Sequence, residues 1–283
     1  MDGKNNRVWK ITSAAFLAAA CVCTAVACAG KANEKNAEHT YQELAEHTGT
    51  VPIATEEPED GEELSEELTE EPAEADSAKA LEDMGVPIPD KVVDFADLQE
   101  NVNKDIYAWI YIPDTAIDYP VLQHPTDNSY YLNYNLDGSR GYPGCIYTED
   151  YNGKDFTDPN TVVYGHNMKN GTMFAGLHNY GDSEYTESHP YVYIYTPEEL
   201  LVYEIYAAYE SGDEHILYAH DRFQDKRVFE NYVKDIMEIR SMGSVLREGV
   251  EVDADSRILT LSTCISTKPN NRFLVQGVLL NGE

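Results

Sequence analysis

The sequence predicts a mainly β domain, a barrel or a sandwich with a few inserted helices, in its C-terminal two thirds. Short runs rich in β-branched and aromatic residues follow one another there, bounded by Gly, Pro, Asn and Asp. The eight runs cover residues 107–112, 117–122, 145–148, 161–164, 191–196, 201–209, 257–262 and 272–280. The chain has 42% hydrophobic residues and 21 tyrosines, so it can bury a sizeable core.

Helical patterns are few and lie between these runs. Asp94 is a candidate N-cap for a short helix through Val102, and apolar residues at 173, 174 and 177 indicate another. Residues 224–240 carry apolar side chains at near-helical spacing and predict the longest helix. The helices are therefore expected to be inserts on a framework of strands.

The net charge of the chain is -31, from 20 Lys and Arg against 51 Asp and Glu. A chain this acidic is repelled by phosphate backbones. The composition therefore argues against nucleic acid as a partner.

Residues 1–30 are typical of a signal anchor or transmembrane segment. Lys4, Arg7 and Lys10 precede residues 11–30, which contain no charged residue, and a helix needs about 20 apolar residues to cross a bilayer. Cations before this stretch and acids after it predict an internal N-terminus and an exported remainder. Cleavage of the leader, with or without lipidation at Cys28, remains an alternative to membrane retention.

Residues 31–85 contain 18 acidic residues and three lysines. Tyr41 is the only aromatic residue among them, so this segment is predicted to be a disordered, self-repelling linker. A calcium-binding tract is the alternative, but the acids show no regular ligand spacing. Residues 86–283 are then the folded module.

Outside the leader only Cys145 and Cys264 remain, and in an exported protein they either form a disulfide or leave a thiol for chemistry. Cys264 ends an apolar run, where a strand gives way to a loop. Such a position holds a nucleophile rigidly with one face exposed, although a buried core thiol is the alternative. Cys145 lies between apolar neighbours and is interpreted as a core residue.

Two further residues complete a candidate catalytic group. Arg272 opens the last strand, eight residues after Cys264, and a hairpin would place the two side by side, where a guanidinium can lower a thiol pKa and bind an oxyanion. His166 emerges from a strand after Gly165 and is suited to proton transfer. A surface ion pair for Arg272 and a structural role for His166 are the alternatives.

The sequence resembles the sortase family in the order of three features. These are a strand followed by Gly–His–Asn, a strand that ends in Thr–Cys, and an Arg at the start of the last strand. Residues 92–122, 128–132, 161–168 and 260–264, and the long helix before the catalytic strand, look like class B sortases. The resemblance covers about residues 88–281. The interval from Cys264 to Arg272 is shorter than is usual in class B sortases, so the substrate groove is expected to be narrower or reshaped there.

This resemblance implies an eight-stranded sortase-type β-barrel with an N-terminal helix and a long inserted helix. It implies Cys264 as nucleophile, His166 as general acid and base and Arg272 as oxyanion donor, with Ser262 and Thr263 as candidate groove residues. The implied substrates are exported proteins bearing a sorting-signal pentapeptide. The implied acceptor is an amine of a cell-wall precursor or of another protein.

The same resemblance places the enzyme on the outer face of a Gram-positive-type cell membrane, held there by a single N-terminal span. No metal or organic cofactor is implied, and no cluster of His, Cys and Asp with metal-ligand spacing occurs in the sequence. Two other functions remain open: an exported cysteine peptidase with water as acceptor, and a non-catalytic surface adhesin with a Cys145–Cys264 disulfide.

Overall fold

The computed structural model of the chain describes residues 30–46, 48, 79–219 and 223–281. The predicted leader up to residue 29 and the acidic stretch 49–78 lie outside the described residues, so the structure does not test the membrane span or the lipidation alternative. Among the residues that are described, no helix is both long and apolar enough to span a membrane.

The framework is a closed barrel of eight strands with one additional short strand. The nine strands of the described residues are β1 Ile106–Tyr111, β2 Asp118–Leu122, β3 Ile146–Tyr147, β4 Asn160–Tyr164, β5 Tyr191–Tyr195, β6 Leu200–Gly212, β7 Val245–Leu246, β8 Ile258–Ile265 and β9 Lys268–Leu279. The order around the barrel is β5-β1-β2-β3-β4-β8-β9-β6, closed by pairing of β5 with β6, and β7 is added to β6. This architecture confirms the predicted fold class, and each of the eight predicted runs corresponds to a barrel strand.

Eight helical segments accompany these strands in the described part of the chain. They are α1 30–46, α2 79–83, α3 Phe95–Asn101, α4 Tyr130–Asn133, a 3-10 helix Ala175–Gly181, α5 Ser183–Ser188, α6 Ile216–Ala219 and α7 Lys226–Met237. Asp94 caps α3 as predicted, because its carboxylate accepts from the Asp97 N–H. The long helix begins at residue 226, two residues later than predicted, because the Asp225 carboxylate caps it by accepting from the Arg227 N–H.

The barrel is packed on both faces. The main apolar cluster fills the barrel and includes Ile110, Ile194 and Leu261. Helix α7 covers part of the outer face and buries Phe229 and Ile236 in a second cluster with strand residues of β6, β8 and β9. Strands β8 and β9, which contribute Ile258 and Leu274 to this second cluster, also carry the candidate site at their hairpin end.

The predicted disordered linker is wrong for residues 31–46, which form most of α1 and pack on the barrel. Tyr41 is 3% exposed, and Leu44 and Ala45 pack against the main core. These residues recur at helical spacing on one face of α1. The charge count of the whole segment concealed this sparse stripe, because the acids crowd into residues outside the described part of the chain.

Candidate active site

Cys264 and Arg272 lie opposite each other on the hairpin of β8 and β9. The two strands are antiparallel, and their register pairs Cys264 directly with Arg272. Directly opposed residues point to the same face of a sheet. The Cys264 side chain is exposed although its neighbours along β8 are buried, so a thiol and a guanidinium share one accessible face at a strand end, as the sequence predicted.

His166 is brought to the same end by the strand on the other side of β8. Strands β4 and β8 are parallel, and their register aligns Tyr164 with Ser262. His166 and Cys264 each follow these aligned residues by two positions. The structure therefore brings together the three residues that the sequence nominated from distant segments.

Gly165 has no room for a side chain. A Cβ atom there would lie 2.5 Å from Ile146 Cδ1 and 2.7 Å from the Phe174 ring. Its carbonyl accepts a hydrogen bond from the Thr263 hydroxyl at 2.8 Å. Gly165 thus lets the backbone before His166 lie directly on the core, and Thr263 ties that backbone to the strand of the nucleophile.

The His166 ring is held by the backbone. Its Nε2 lies 2.8 Å from the Leu132 carbonyl oxygen, and because a carbonyl only accepts, Nε2 must carry the proton. The edge of the ring contacts Tyr142, with the ring centroids 5.1 Å apart. This arrangement leaves Nδ1 as the nitrogen that can exchange a proton with a substrate.

Asn167 and His178 contact the main chain of the candidate nucleophile. The Asn167 side-chain amide donates to the Cys264 carbonyl at 2.9 Å, and His178 Nε2 lies 3.1 Å from the same oxygen. Both fix the backbone from which the thiol projects. The sequence placed Asn167 in the family motif without assigning it a role, and it gave no signal for His178, which the 3-10 helix delivers from elsewhere in the chain.

The Arg272 side chain is anchored by its own turn. Its Nη1 donates to the carbonyls of Asn271 and Pro269 at 3.0 and 3.2 Å. Within the described residues no carboxylate forms a salt bridge with it, so the alternative of a surface ion pair has no support there. A guanidinium has five N–H donors, and the backbone bonds leave donors for a ligand oxygen.

Tyr147 lies beside the paired cysteine and arginine, and the sequence did not single it out. Burial raises the pKa of its phenol, Glu149 and Cys264 raise it further, and Arg272 lowers it. The phenol is therefore within electrostatic reach of both Cys264 and Arg272. Its ring stacks on that of Tyr164 with the centroids 5.4 Å apart.

The two predicted groove residues lie on opposite faces of β8. Ser262 precedes Cys264 by two positions and so shares its face. Thr263 is 2% exposed and gives its hydroxyl to the Gly165 carbonyl. The prediction that Thr263 lines the groove is therefore wrong, because its side chain turns away from the thiol, whereas the role of Ser262 stays a prediction.

Cys145 is a core residue, as the sequence indicated. It is 0% exposed, and both it and Cys264 are free thiols. Burial raises the pKa of the Cys145 thiol to about 12. The disulfide that the adhesin alternative requires is absent. Of the two cysteines among the described residues, Cys145 is buried and Cys264 is exposed.

An exposed thiol, a histidine that follows the parallel neighbouring strand, and a guanidinium that has no carboxylate partner among the described residues are the arrangement expected of a cysteine acyl-transfer site on a closed β-barrel. Comparison with known proteins agrees. Residues 110–280 match the family model of the sortase domain, which is more than half of the chain. The protein therefore belongs to the sortase family.

Three relatives narrow the class. Sortase B of Listeria monocytogenes is 38% identical over 186 residues, which are 65% of this chain and 73% of that protein. The structure of Clostridium perfringens sortase B superposes with a TM-score of 0.59 at 31% identity and covers 65% of this chain and 99% of that one. A Staphylococcus aureus sortase B–substrate complex gives 0.58 at 26% identity, with coverages of 66% and 85%. The protein is a sortase B-type cysteine transpeptidase.

Proposed function

We propose that this transpeptidase works outside the cell, held at the membrane by residues 1–30. It cleaves a C-terminal sorting motif of exported proteins and joins the acyl fragment to an amine of the cell wall or of another protein. The pairing of Cys264 with Arg272, with His166 on the adjoining strand, carries this proposal. The uncharged run after three cations in the leader supports the location.

In the first half-reaction the Cys264 thiolate attacks the carbonyl carbon of the scissile peptide bond. The negative charge that develops on the carbonyl oxygen is stabilised by N–H groups of Arg272. When the C–N bond breaks, the imidazolium form of His166 gives its Nδ1 proton to the departing amine. The acyl group is left on Cys264 as a thioester, and His166 is neutral.

In the second half-reaction the nitrogen of an acceptor amine attacks the thioester carbonyl. His166 Nδ1 takes the proton that this nitrogen loses, and the C–S bond breaks to restore the thiolate. The Leu132 carbonyl keeps Nε2 protonated throughout, so both proton transfers use the same nitrogen. The products are a new amide bond and an enzyme in its starting protonation state.

Turnover of sorting-type pentapeptides tests the proposal. The ectodomain from residue 30 is incubated with a library of such peptides, with and without an added amine, and the products are identified by mass spectrometry. Amide products that appear with the amine support transpeptidation. Hydrolysis products alone, unchanged by any amine tested, would instead establish the exported cysteine peptidase.

The location requires a separate experiment in intact cells. Membrane association of the full chain, with its catalytic domain accessible to an external protease, is the expected result. Release of the domain into the medium, or protection of the domain from protease, would contradict the proposed anchor.

A further inference from the structure

Helix α1 contacts both of the segments that enclose His166. One segment, residues 131–144, supplies the Leu132 carbonyl that holds the imidazole and the backbone on which the ring packs. The other, residues 167–173, leaves the histidine directly and returns to it, because the Phe174 N–H donates to the His166 carbonyl at 3.0 Å. Helix α1, which is distant in sequence, therefore contacts both segments. We call residues 131–144 the first wall and residues 167–173 the second wall of the candidate acid–base site.

Tyr41 makes the contact to the first wall. Its hydroxyl donates to the Gly144 carbonyl at 2.6 Å, and the residue is 3% exposed. Gly144 lies against the catalytic ring, since a Cβ atom on it would be 3.3 Å from His166 Cδ2. At the same wall Asn33 donates to the Ser139 hydroxyl at 3.1 Å. The phenol of Tyr41 thus fixes the backbone directly beside the imidazole.

Glu38 makes the contact to the second wall. Its Oε1 accepts hydrogen bonds from the Asn170 amide and from the Thr172 hydroxyl, the latter at 3.4 Å. Both donors belong to the loop that begins at His166. A carboxylate that accepts from two loop side chains restrains the conformation of that loop.

The two contacts are linked through Tyr119. The Met173 N–H donates to the Tyr119 hydroxyl at 2.9 Å. The Tyr119 ring meets the Tyr41 ring edge to face, with the centroids 5.5 Å apart. The second wall is therefore connected to Tyr41 as well as to Glu38.

The interface between α1 and the barrel is not closely packed throughout. A cavity of about 220 Å³ remains between them, lined by Glu38, Tyr41 and Tyr119 among others. Close packing therefore does not explain the placement of the helix by itself. The hydrogen bonds of Tyr41 and Glu38 help to fix the position of the helix on the barrel.

We propose that α1 is a positioning element for catalysis, in which Tyr41 and Glu38 hold the two walls of the His166 site so that Nδ1 faces the thioester. This inference rests on the proposed acid–base role of His166. It assigns a catalytic purpose to the segment between the leader and the acidic stretch. The membrane-proximal helix is then part of the working enzyme rather than a spacer.

Substitutions on α1 test this proposal in the ectodomain from residue 30. Tyr41→Phe removes one hydroxyl and keeps the ring, and Glu38→Ala removes the acceptor of both loop donors. Misplacement of a catalytic group by about 1 Å can cost about 100-fold, so we expect each variant to lower kcat by about 10- to 100-fold with little change in KM. Glu38→Gln keeps a side-chain oxygen and should restore most of the loss.

Glu43→Ala is the matched control, because this exposed glutamate of α1 pairs only with His39 among the described residues. Its kcat should equal that of the wild type. NMR of the histidine ring nitrogens, recorded at a pH at which the imidazole is neutral, supplies a readout independent of turnover. The wild type should then show His166 protonated at Nε2 alone, and Tyr41→Phe and Glu38→Ala should show a mixture of tautomers.

The outcomes separate this proposal from the proposed function. A wild-type enzyme that transfers no acyl group would refute the function, and the His166 spectra would still test the positioning. Unchanged kcat and unchanged spectra in both Tyr41→Phe and Glu38→Ala would overturn the positioning role. So would a lower melting temperature with unaltered kcat, since that result would make α1 a purely structural element.

Discussion

Cys264 and Arg272 face each other across the β8–β9 hairpin in direct register, and no carboxylate of the described residues pairs with the arginine. Because its guanidinium has no anionic partner among the described residues, Arg272 can stabilise the negative charge that develops on a substrate carbonyl oxygen next to the thiol. This arrangement is expected of a guanidinium that binds the oxyanion, and not of one that only anchors the last strand through an ion pair.

Arg272→Lys should lower kcat by about 100-fold or more, in line with loss of one oxyanion donor. Lysine keeps the charge but cannot reproduce the planar fork of donors. Steady-state kinetics beside a thermal melt measure the effect. Arg240→Lys is the matched control, because Arg240 Nη1 also donates to backbone carbonyls; near-normal turnover in both variants would exclude the oxyanion role.

The two cysteines should differ sharply in reactivity. At pH 8 iodoacetamide should label Cys264 in the native enzyme and spare Cys145, because Cys145 is buried and burial raises its thiol pKa to about 12. Peptide mapping by mass spectrometry locates the label. Cys264→Ala should abolish both labelling and turnover, whereas Cys145→Ala should retain most activity. Appreciable turnover by Cys264→Ala would refute the mechanism.

Gly165→Ala should destabilise the fold and lower activity together. The added methyl group would meet Ile146 and Phe174 at 2.5 and 2.7 Å, and overpacking of a core costs about 1–3 kcal/mol. Chemical denaturation measures the loss. Gly176→Ala is the control, since its Cβ would meet no atom within 4 Å. Equal stability of the two variants would show that the backbone at Gly165 adjusts freely.

Stability should fall above about pH 10 because of buried phenols. Burial raises the pKa of Tyr41, Tyr206 and Tyr209 well above the ordinary value of 10.0. Above that value the unfolded chain releases protons that the folded chain keeps, so the stabilisation is complete below about pH 10 and declines as the pH rises. Phenolate absorbance and circular dichroism should show these tyrosines ionising only as the protein unfolds; full ionisation in a still-folded protein would contradict their burial.

The barrel and the proximity of the three candidate site residues could be predicted from sequence because their signals are local. Each strand is a short β-branched and aromatic run ended by turn residues, and Cys264, His166 and Arg272 stand at the ends of such runs. The short β8–β9 hairpin then determines the register that pairs Cys264 with Arg272. The apolar neighbours of Cys145 likewise indicate a core thiol, and the structure buries it.

The errors arose where tertiary contacts override composition. Helix α1 lies in a segment whose mean charge suggests disorder, yet Tyr41 and Leu44 dock it on the barrel. The proximity of Thr263 to Cys264 in the sequence suggests a groove residue, but strand alternation turns its side chain to the opposite face of β8. His178 is set against Cys264 by a 3-10 helix, and no pattern in the sequence indicates that contact.

Intact-mass spectrometry of the ectodomain can detect the proposed thioester on Cys264. The enzyme is mixed with its sorting-type peptide in the absence of an amine, quenched with acid and weighed. We expect an adduct equal to the acyl fragment, located on Cys264, which disappears on addition of an amine as the new amide forms. An adduct on another residue, or cleavage of the peptide by Cys264→Ala, would refute the thioester mechanism.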